Sequence, residues 1–168
     1  MNIKIIKNNS GISILEVIVA IMIIAMGLVG VLSLVIQNVK AQYINKNVLI
    51  ASGLAQEGLE LARNIRDLNW LTPGNTYGNI ASGAYTMDYR GLTSVSTVSS
   101  IDDPGARLYV DSNGFYTNTA SGNTPTNFYR LITVVNNTDY LDVKCAIRWQ
   151  DGTQNHNYTA ETYLYDWR

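Results

Sequence analysis

Gly11-Ile12-Ser13-Ile14-Leu15-Glu16 leads into Val17–Ile36, VIVAIMIIAMGLVGVLSLVI, and the reading of this stretch decides the fold. The 20 residues from Val17 to Ile36 carry no charge and are interrupted only by Gly27, Gly30 and Ser33. Wound as a helix at about 1.5 Å per residue, they span about 30 Å, the thickness of a bilayer core. Upstream, Met1–Gly11 (MNIKIIKNNSG) holds Lys4 and Lys7 and no acid. Downstream of Arg63 the texture changes to Tyr, Thr, Asn, Asp and Gly. The chain reads as an apolar N-terminal anchor followed by a polar ectodomain.

The helical pattern continues past the apolar run. Tyr43, Ile50, Leu54, Leu61, Ile65 and Leu68 recur at intervals of three, four and seven, which places them on one stripe. Ile44, Val48, Ala51, Ala55, Leu59 and Ala62 form an adjacent stripe of smaller side chains. The expectation is that the larger stripe packs on the protein's own sheet and the smaller one faces neighbouring helices. One broad face buried wholly in the head is the alternative, favoured if Ala51, Ala55 and Ala62 are covered within the monomer. Thr72-Pro73-Gly74 supplies the stop, because proline cannot continue a helix. A helix from Ile12 to about Leu71 is about 90 Å long, more than a compact head covers. Gly27 and Gly30 weaken helix propensity by about 1 kcal/mol each against alanine and mark either softening points or close helix packing.

Beyond the stop the period changes to two. Leu141, Val143, Cys145, Ile147 and Trp149 alternate with Tyr140, Asp142, Lys144, Ala146 and Arg148, giving one apolar and one largely polar face. Similar patterning marks strands near Phe128–Val135 and Tyr158–Tyr165, joined through Asn136-Asn137-Thr138-Asp139 and Asp151-Gly152. Shorter strands are expected at Ala84–Tyr89, Arg107–Tyr109 and Phe115–Thr117, while 93–101 and 117–127 read as Ser-, Thr- and Asn-rich connectors. The fold class is α+β: a long N-terminal helix packed on a C-terminal antiparallel sheet. The divisions fall at residues 1–11, 12–71 and 72–168.

Three readings compete for the N-terminus. A secretory signal peptide cut near Ala41 has an apolar stretch longer than the usual one and Lys40 in the cleavage site. A plain single-pass anchor leaves Glu16 unexplained, since a carboxylate in an apolar membrane helix costs up to about 3 kcal/mol and calls for a partner. A cut between Gly11 and Ile12 supplies one, by making Glu16 the fifth residue of the new chain and freeing an α-amino group at Ile12.

On these residues the sequence resembles the type IV pilin family: a short basic leader ending in Gly11, the hydrophobic Ile12, Glu16 at its fixed offset, and the uninterrupted run after it. Ile12 stands where phenylalanine is commonest in that family. The resemblance implies a class III signal peptide removed by a membrane prepilin peptidase, with Gly11 as recognition residue, Ile12 as the N-methylated residue and Glu16 as the residue that docks the subunit. It implies as partners the prepilin peptidase, membrane lipid, an inner-membrane assembly platform and other pilins or pseudopilins in a helical filament. The precursor is then a single-pass inner-membrane protein with its N-terminus cytoplasmic and its head outside. Gly27-Leu28-Val29-Gly30 and Ala55–Arg63 look more like the minor-pilin and pseudopilin branch, of a type IV pilus or of a type II secretion or DNA-uptake system. A surface adhesin using the same processing signal is the alternative.

Composition excludes little else. Twelve basic and 13 acidic residues leave a net charge of −1, without the basic bias of nucleic-acid binding. Cys145 is the single cysteine, so no intrachain disulfide forms, and it reads as a small buried hydrophobe. His156, the single histidine, lies in the polar stretch Gln154-Asn155-His156-Asn157 and reads as a solvated loop residue. No zinc spacing and no catalytic constellation is evident, so neither an enzyme nor a cofactor is expected. Asp102, Asp103, Asp111 and Asn113 offer oxygens to Ca²⁺, but Asp-Ser-Asn-Gly lacks the later glutamate of an EF-hand and turn chemistry explains it first.

Overall fold

A computed structural model describes residues 11–72, 80–89, 91–137 and 139–165, with side chains of 91–96 excepted. It contains one long helix, α1 (Ile14–Leu71, 58 residues), and an antiparallel sheet of seven strands. The expected α+β class is what the protein adopts. The chain divides into two compact units, one ending at Ile44 and one beginning at Asn45.

In the first unit the described residues through Tyr43 are exposed along their whole length, including Ile14, Ile23 and Leu34. This helix is long and apolar enough to cross a membrane and fits a single-pass membrane protein.

The second unit holds the rest of α1 and the sheet. Thr72 closes the helix, its N–H and hydroxyl both donating to the Leu68 carbonyl at 3.2 and 3.0 Å. Pro73-Gly74, the expected stop, lies outside the described residues. The strands are β1 (Gly83–Asp88), β2 (Gly91–Thr97), β3 (Arg107–Val110), β4 (Tyr116–Thr117), β5 (Thr124–Asn136), β6 (Tyr140–Asp151) and β7 (Gln154–Tyr165). β5, β6 and β7 form the expected meander. On its other side β5 pairs β3 through its first half and β1 through its second, with β4 and β2 outermost. β6 and β7 stay in register from Asp151↔Gln154 to Tyr140↔Tyr165. Gly152 makes this tight reversal possible at φ +57°, a left-handed conformation that costs glycine no Cβ clash.

Three expectations change. First, parts of the expected connectors 93–101 and 117–127 are strand: Thr93, Val95 and Thr97 are β-branched, and Tyr85↔Thr97 to Met87↔Val95 pair 93–97 antiparallel to β1, while β5 begins at Thr124, held by its pairing with Val110 of β3. Second, His156 is not in a loop. β7 begins at Gln154, four residues before the expected Tyr158, because the β6 register carries pairing down to the two-residue turn.

Third, the alanines of the small-residue stripe do not face outward, although Val48 of that stripe is exposed. Ala51, Ala55 and Ala62 are wholly buried, together with Leu54, Leu61 and Ile65 of the larger stripe, while Tyr43 and Leu68 are exposed. One broad face of the helix meets the sheet, since small side chains let a helix approach a pleated surface closely. The approach is tightest at Gly58, where an added Cβ would lie 2.5 Å from Cys145 Sγ. The opposing surface is the inward row of β5 and β6, including Ile132, Val134, Val143, Cys145 and Ile147, all fully buried.

Candidate functional site

Gly11, Ile12 and Ser13 precede α1 in non-helical conformation. The Ser13 carbonyl accepts from the Glu16 N–H at 3.0 Å and from the Val17 N–H at 3.2 Å, starting the helix. Gly11 meets no other group within 4 Å of where a Cβ would stand, and Ile12 is 77% exposed. Among the described residues, nothing packs on Gly11, and Ile12 lies on non-helical backbone before the helix. The rest of the leader, including Lys4 and Lys7, lies outside the described residues.

Glu16 occupies the first turn of α1 and is exposed. An acid there is favoured by the unpaired N–H groups and the positive end of the helix dipole. Among the described residues no cation pairs with it. Gly11, Ile12 and Glu16 thus share one helix end, with Glu16 directly preceding the apolar stretch.

The loop acids are engaged locally. Asp111 Oδ1 accepts from the N–H groups of Asn113 and Phe115 at 2.8 and 2.9 Å, and Oδ2 from the Tyr89 hydroxyl at 2.6 Å. Asp103 accepts from the Gly105 N–H at 2.9 Å and caps the short 3-10 turn Pro104–Ala106, while Asp102 pairs with Arg148. Among the described residues no three His, Cys, Asp or Glu side chains gather as a metal site. These are turn-forming acids.

His156 stacks on Trp149 across β6 and β7, with ring centroids 5.3 Å apart and planes 15° from parallel. No nucleophile or carboxylate joins this pair among the hydrogen bonds and ion pairs described. Cys145 is fully buried, and desolvation pushes its thiol up to about 12, which keeps it protonated and inert.

Two features escape the sequence reading. The first is Arg130, fully buried on the inward row of β5. It donates to Glu57 Oε1 at 3.0 Å, to the Met87 carbonyl at 2.9 Å and to the Leu54 carbonyl at 3.4 Å. Its signal is the alternation itself, because Phe128, Arg130, Ile132 and Val134 share one parity. The second is an outward cluster, Tyr140, Tyr163 and Tyr165, beside Asp142, Lys144 and Glu161. Lys144 Nζ lies 3.5 Å from Asp142 and 3.4 Å from Glu161, and the Tyr163 hydroxyl donates to Glu161 at 2.6 Å.

Compared with protein-family models, curated proteins and solved structures, the chain matches none.

Proposed function

We propose that the protein is a structural filament subunit of the type IV pilin kind, a minor pilin or a pseudopilin of a type II secretion or DNA-uptake system. One observation carries this reading. Glu16 stands five residues after Gly11 at the start of a helix apolar and long enough to cross a membrane.

A carboxylate in that place is costly in lipid unless a cation meets it. Hydrolysis of the Gly11–Ile12 amide releases the leader and creates an α-amino group at Ile12, the residue that is then N-methylated. That ammonium, on a neighbouring subunit, is the cation that Glu16 meets when apolar helices pack side by side. In a low-dielectric core such a pair forms only if both charges are present and close, so it fixes the stagger between subunits. The membrane anchor and the filament core are then the same segment used twice, first against lipid and then against other helices.

Intact mass and N-terminal sequencing of the protein recovered from its native membrane test the reading. A chain that begins at N-methyl-Ile12 supports it. An intact Met1, or a start near Gln42, overturns it.

A further inference from the structure

β3 and β4 are joined through Asp111-Ser112-Asn113-Gly114-Phe115, the single place in the chain where asparagine precedes glycine. Such an asparagine loses its amide without an enzyme, because glycine has no side chain to hinder attack by its own backbone nitrogen. The Gly114 nitrogen bonds to Asn113 Cγ and gives its proton to solvent base, the Cγ–Nδ2 bond breaks, and ammonia leaves. Water then opens the cyclic imide at either carbonyl, giving aspartate or isoaspartate and one more negative charge. Asn113 and Gly114 are both exposed, so water and base reach them.

The turn opposes this chemistry. Three successive N–H groups close on Asp111: Asn113 and Phe115 donate to its Oδ1 at 2.8 and 2.9 Å, and Gly114 to its carbonyl at 3.0 Å. The Asp111 N–H donates back to the Phe115 carbonyl at 3.0 Å, and the Tyr89 hydroxyl holds Oδ2 at 2.6 Å. Asn113 is therefore third of four in a turn closed by the Gly114 N–H. Neither Ser112 nor Asn113 has a positive φ, which excludes types II, I′ and II′ and leaves type I, with ψ near 0° at the third position. The imide is a five-membered ring through Cβ, so it closes only where Cβ eclipses the Gly114 nitrogen, about 120° away in ψ from that type I position. Reaching that conformation breaks the closing bonds to Asp111.

We infer that Asn113 is a spontaneous deamidation site that Asp111 holds closed, so that conversion of its amide to aspartate or isoaspartate follows the opening of this turn. The isoaspartyl product carries an extra main-chain carbon in the loop and does not restore the three bonds to Asp111, so the conversion is one-way. The inference does not depend on filament assembly, because every group it uses lies in this turn or at Tyr89 beside it.

The full chain in detergent micelles is incubated at mildly alkaline pH beside a synthetic peptide of residues 110–117, and amide-to-acid conversion at Asn113 is followed by proteolytic mapping and mass spectrometry. The folded chain should convert at least about tenfold more slowly than the peptide, because only the locally opened fraction reacts. Asp111→Ala should bring the folded rate to within about threefold of the peptide's. Asp111→Asn keeps an Oδ1 acceptor for both N–H groups and should stay close to the parent. Tyr89→Phe removes only the hydroxyl bond to Oδ2 and should speed conversion about twofold to fivefold, the worth of one hydrogen bond. Circular dichroism and thermal unfolding check that each head is folded. Equal rates in the folded parent and the peptide overturn the inference. So does a folded Asp111→Ala head that converts no faster than the parent. Where Asp111→Ala does not fold, Tyr89→Phe decides: a faster rate supports the inference and a parental rate overturns it.

Discussion

Arg130 and Glu57 form the ion pair that ties helix to sheet: the guanidinium, wholly buried on β5, donates to Glu57 Oε1 on α1 at 3.0 Å. The two ends differ in exposure, since the Glu57 side chain is 38% exposed and shares its charge with water. Two backbone carbonyls, Leu54 on the helix and Met87 on β1, take other guanidinium hydrogens. Arg130 thus joins three elements at one point. Arg130→Ala should destabilise the head by about 3–5 kcal/mol, through the cavity and the stranded carbonyls. Arg130→Met keeps most of the volume and should cost less. Glu57→Gln retains an acceptor and, being half in water, should cost about 1 kcal/mol. Urea unfolding followed by near-UV circular dichroism measures all three, and no measurable cost for either Arg130→Ala or Glu57→Gln would show that the pair is not the tie described.

Gly58 and Cys145 set the closest approach of α1 to β6. Alanine at 58 gains about 1 kcal/mol of helix propensity but pushes a methyl group against a buried sulfur, where overpacking costs about 1–3 kcal/mol. Gly58→Ala should therefore destabilise the head by up to about 2 kcal/mol. Cys145→Ala in the same chain clears the space, so the double variant should be more stable than the sum of the single costs. Strict additivity in urea midpoints would mean that the two positions do not meet.

The Cys145 thiol, pushed up to about 12 by desolvation, offers almost no thiolate at neutral pH. Iodoacetamide should leave the folded protein unlabelled at pH 8 and label it at once in denaturant. Mass spectrometry reads both states. Labelling of the folded chain at the rate of a free thiol would contradict the burial.

The same residues show what a one-dimensional pattern can carry. Alternation along 140–149 sufficed for β6, because every inward position there is apolar. At Arg130 the pattern held while the chemistry broke it, and only the place of Glu57 across the interface makes a buried arginine intelligible. The alanines of α1 misled for a related reason. Periodicity tells that Ala51, Ala55 and Ala62 share a face, but not whether the close approach they permit is to a sheet or to another helix. β2 was hidden in Ser- and Thr-rich composition, since its partner β1 lies across a turn and pairing is a property of both strands. The relation among Gly11, Ile12 and Glu16 is an offset along the chain, which a sequence displays directly, and the roles given to them are those of the proposed function.

Tyr163 and Glu161 shift one another on the outward face. The hydrogen bond to Glu161 raises the Tyr163 phenol to about 12, and the same bond is the first cause holding Glu161 below the usual carboxylate range. For Tyr163 the folded value lies above the unfolded one, so its contribution is complete below about pH 10 and lost as pH rises through about 12. For Glu161 the folded value is depressed, so its contribution is present above the ordinary carboxylate range and lost as pH falls through the lowered value. Ultraviolet titration of the tyrosinates should show Tyr116, raised by burial, and Tyr163 titrating late, and Glu161→Gln should bring Tyr163 alone back toward 10. A titration unchanged by that substitution would remove the link between the two.

Glu16 offers the separation of processing from assembly. The proposed cut falls at Gly11–Ile12, before the helix, and among the described residues Glu16 makes no hydrogen bond to that peptide. Its role in the proposed filament is electrostatic and arises only when a neighbour's α-ammonium approaches in apolar surroundings. Glu16→Ala should therefore leave cleavage intact, with the chain beginning at Ile12, yet reduce its recovery in sheared filaments by at least about tenfold. Glu16→Gln keeps size and hydrogen bonding but no charge, and should fail nearly as badly, whereas Glu16→Asp should retain part of the function. Because the side chain is exposed on the isolated helix, none of the three should alter the thermal unfolding of the head. Quantifying the protein in membrane and filament fractions by immunoblot, beside intact mass, distinguishes the steps. Normal filament entry of Glu16→Gln would mean that charge at this position does not dock the subunit, and full retention of leader in Glu16→Ala would mean that the peptidase reads it too.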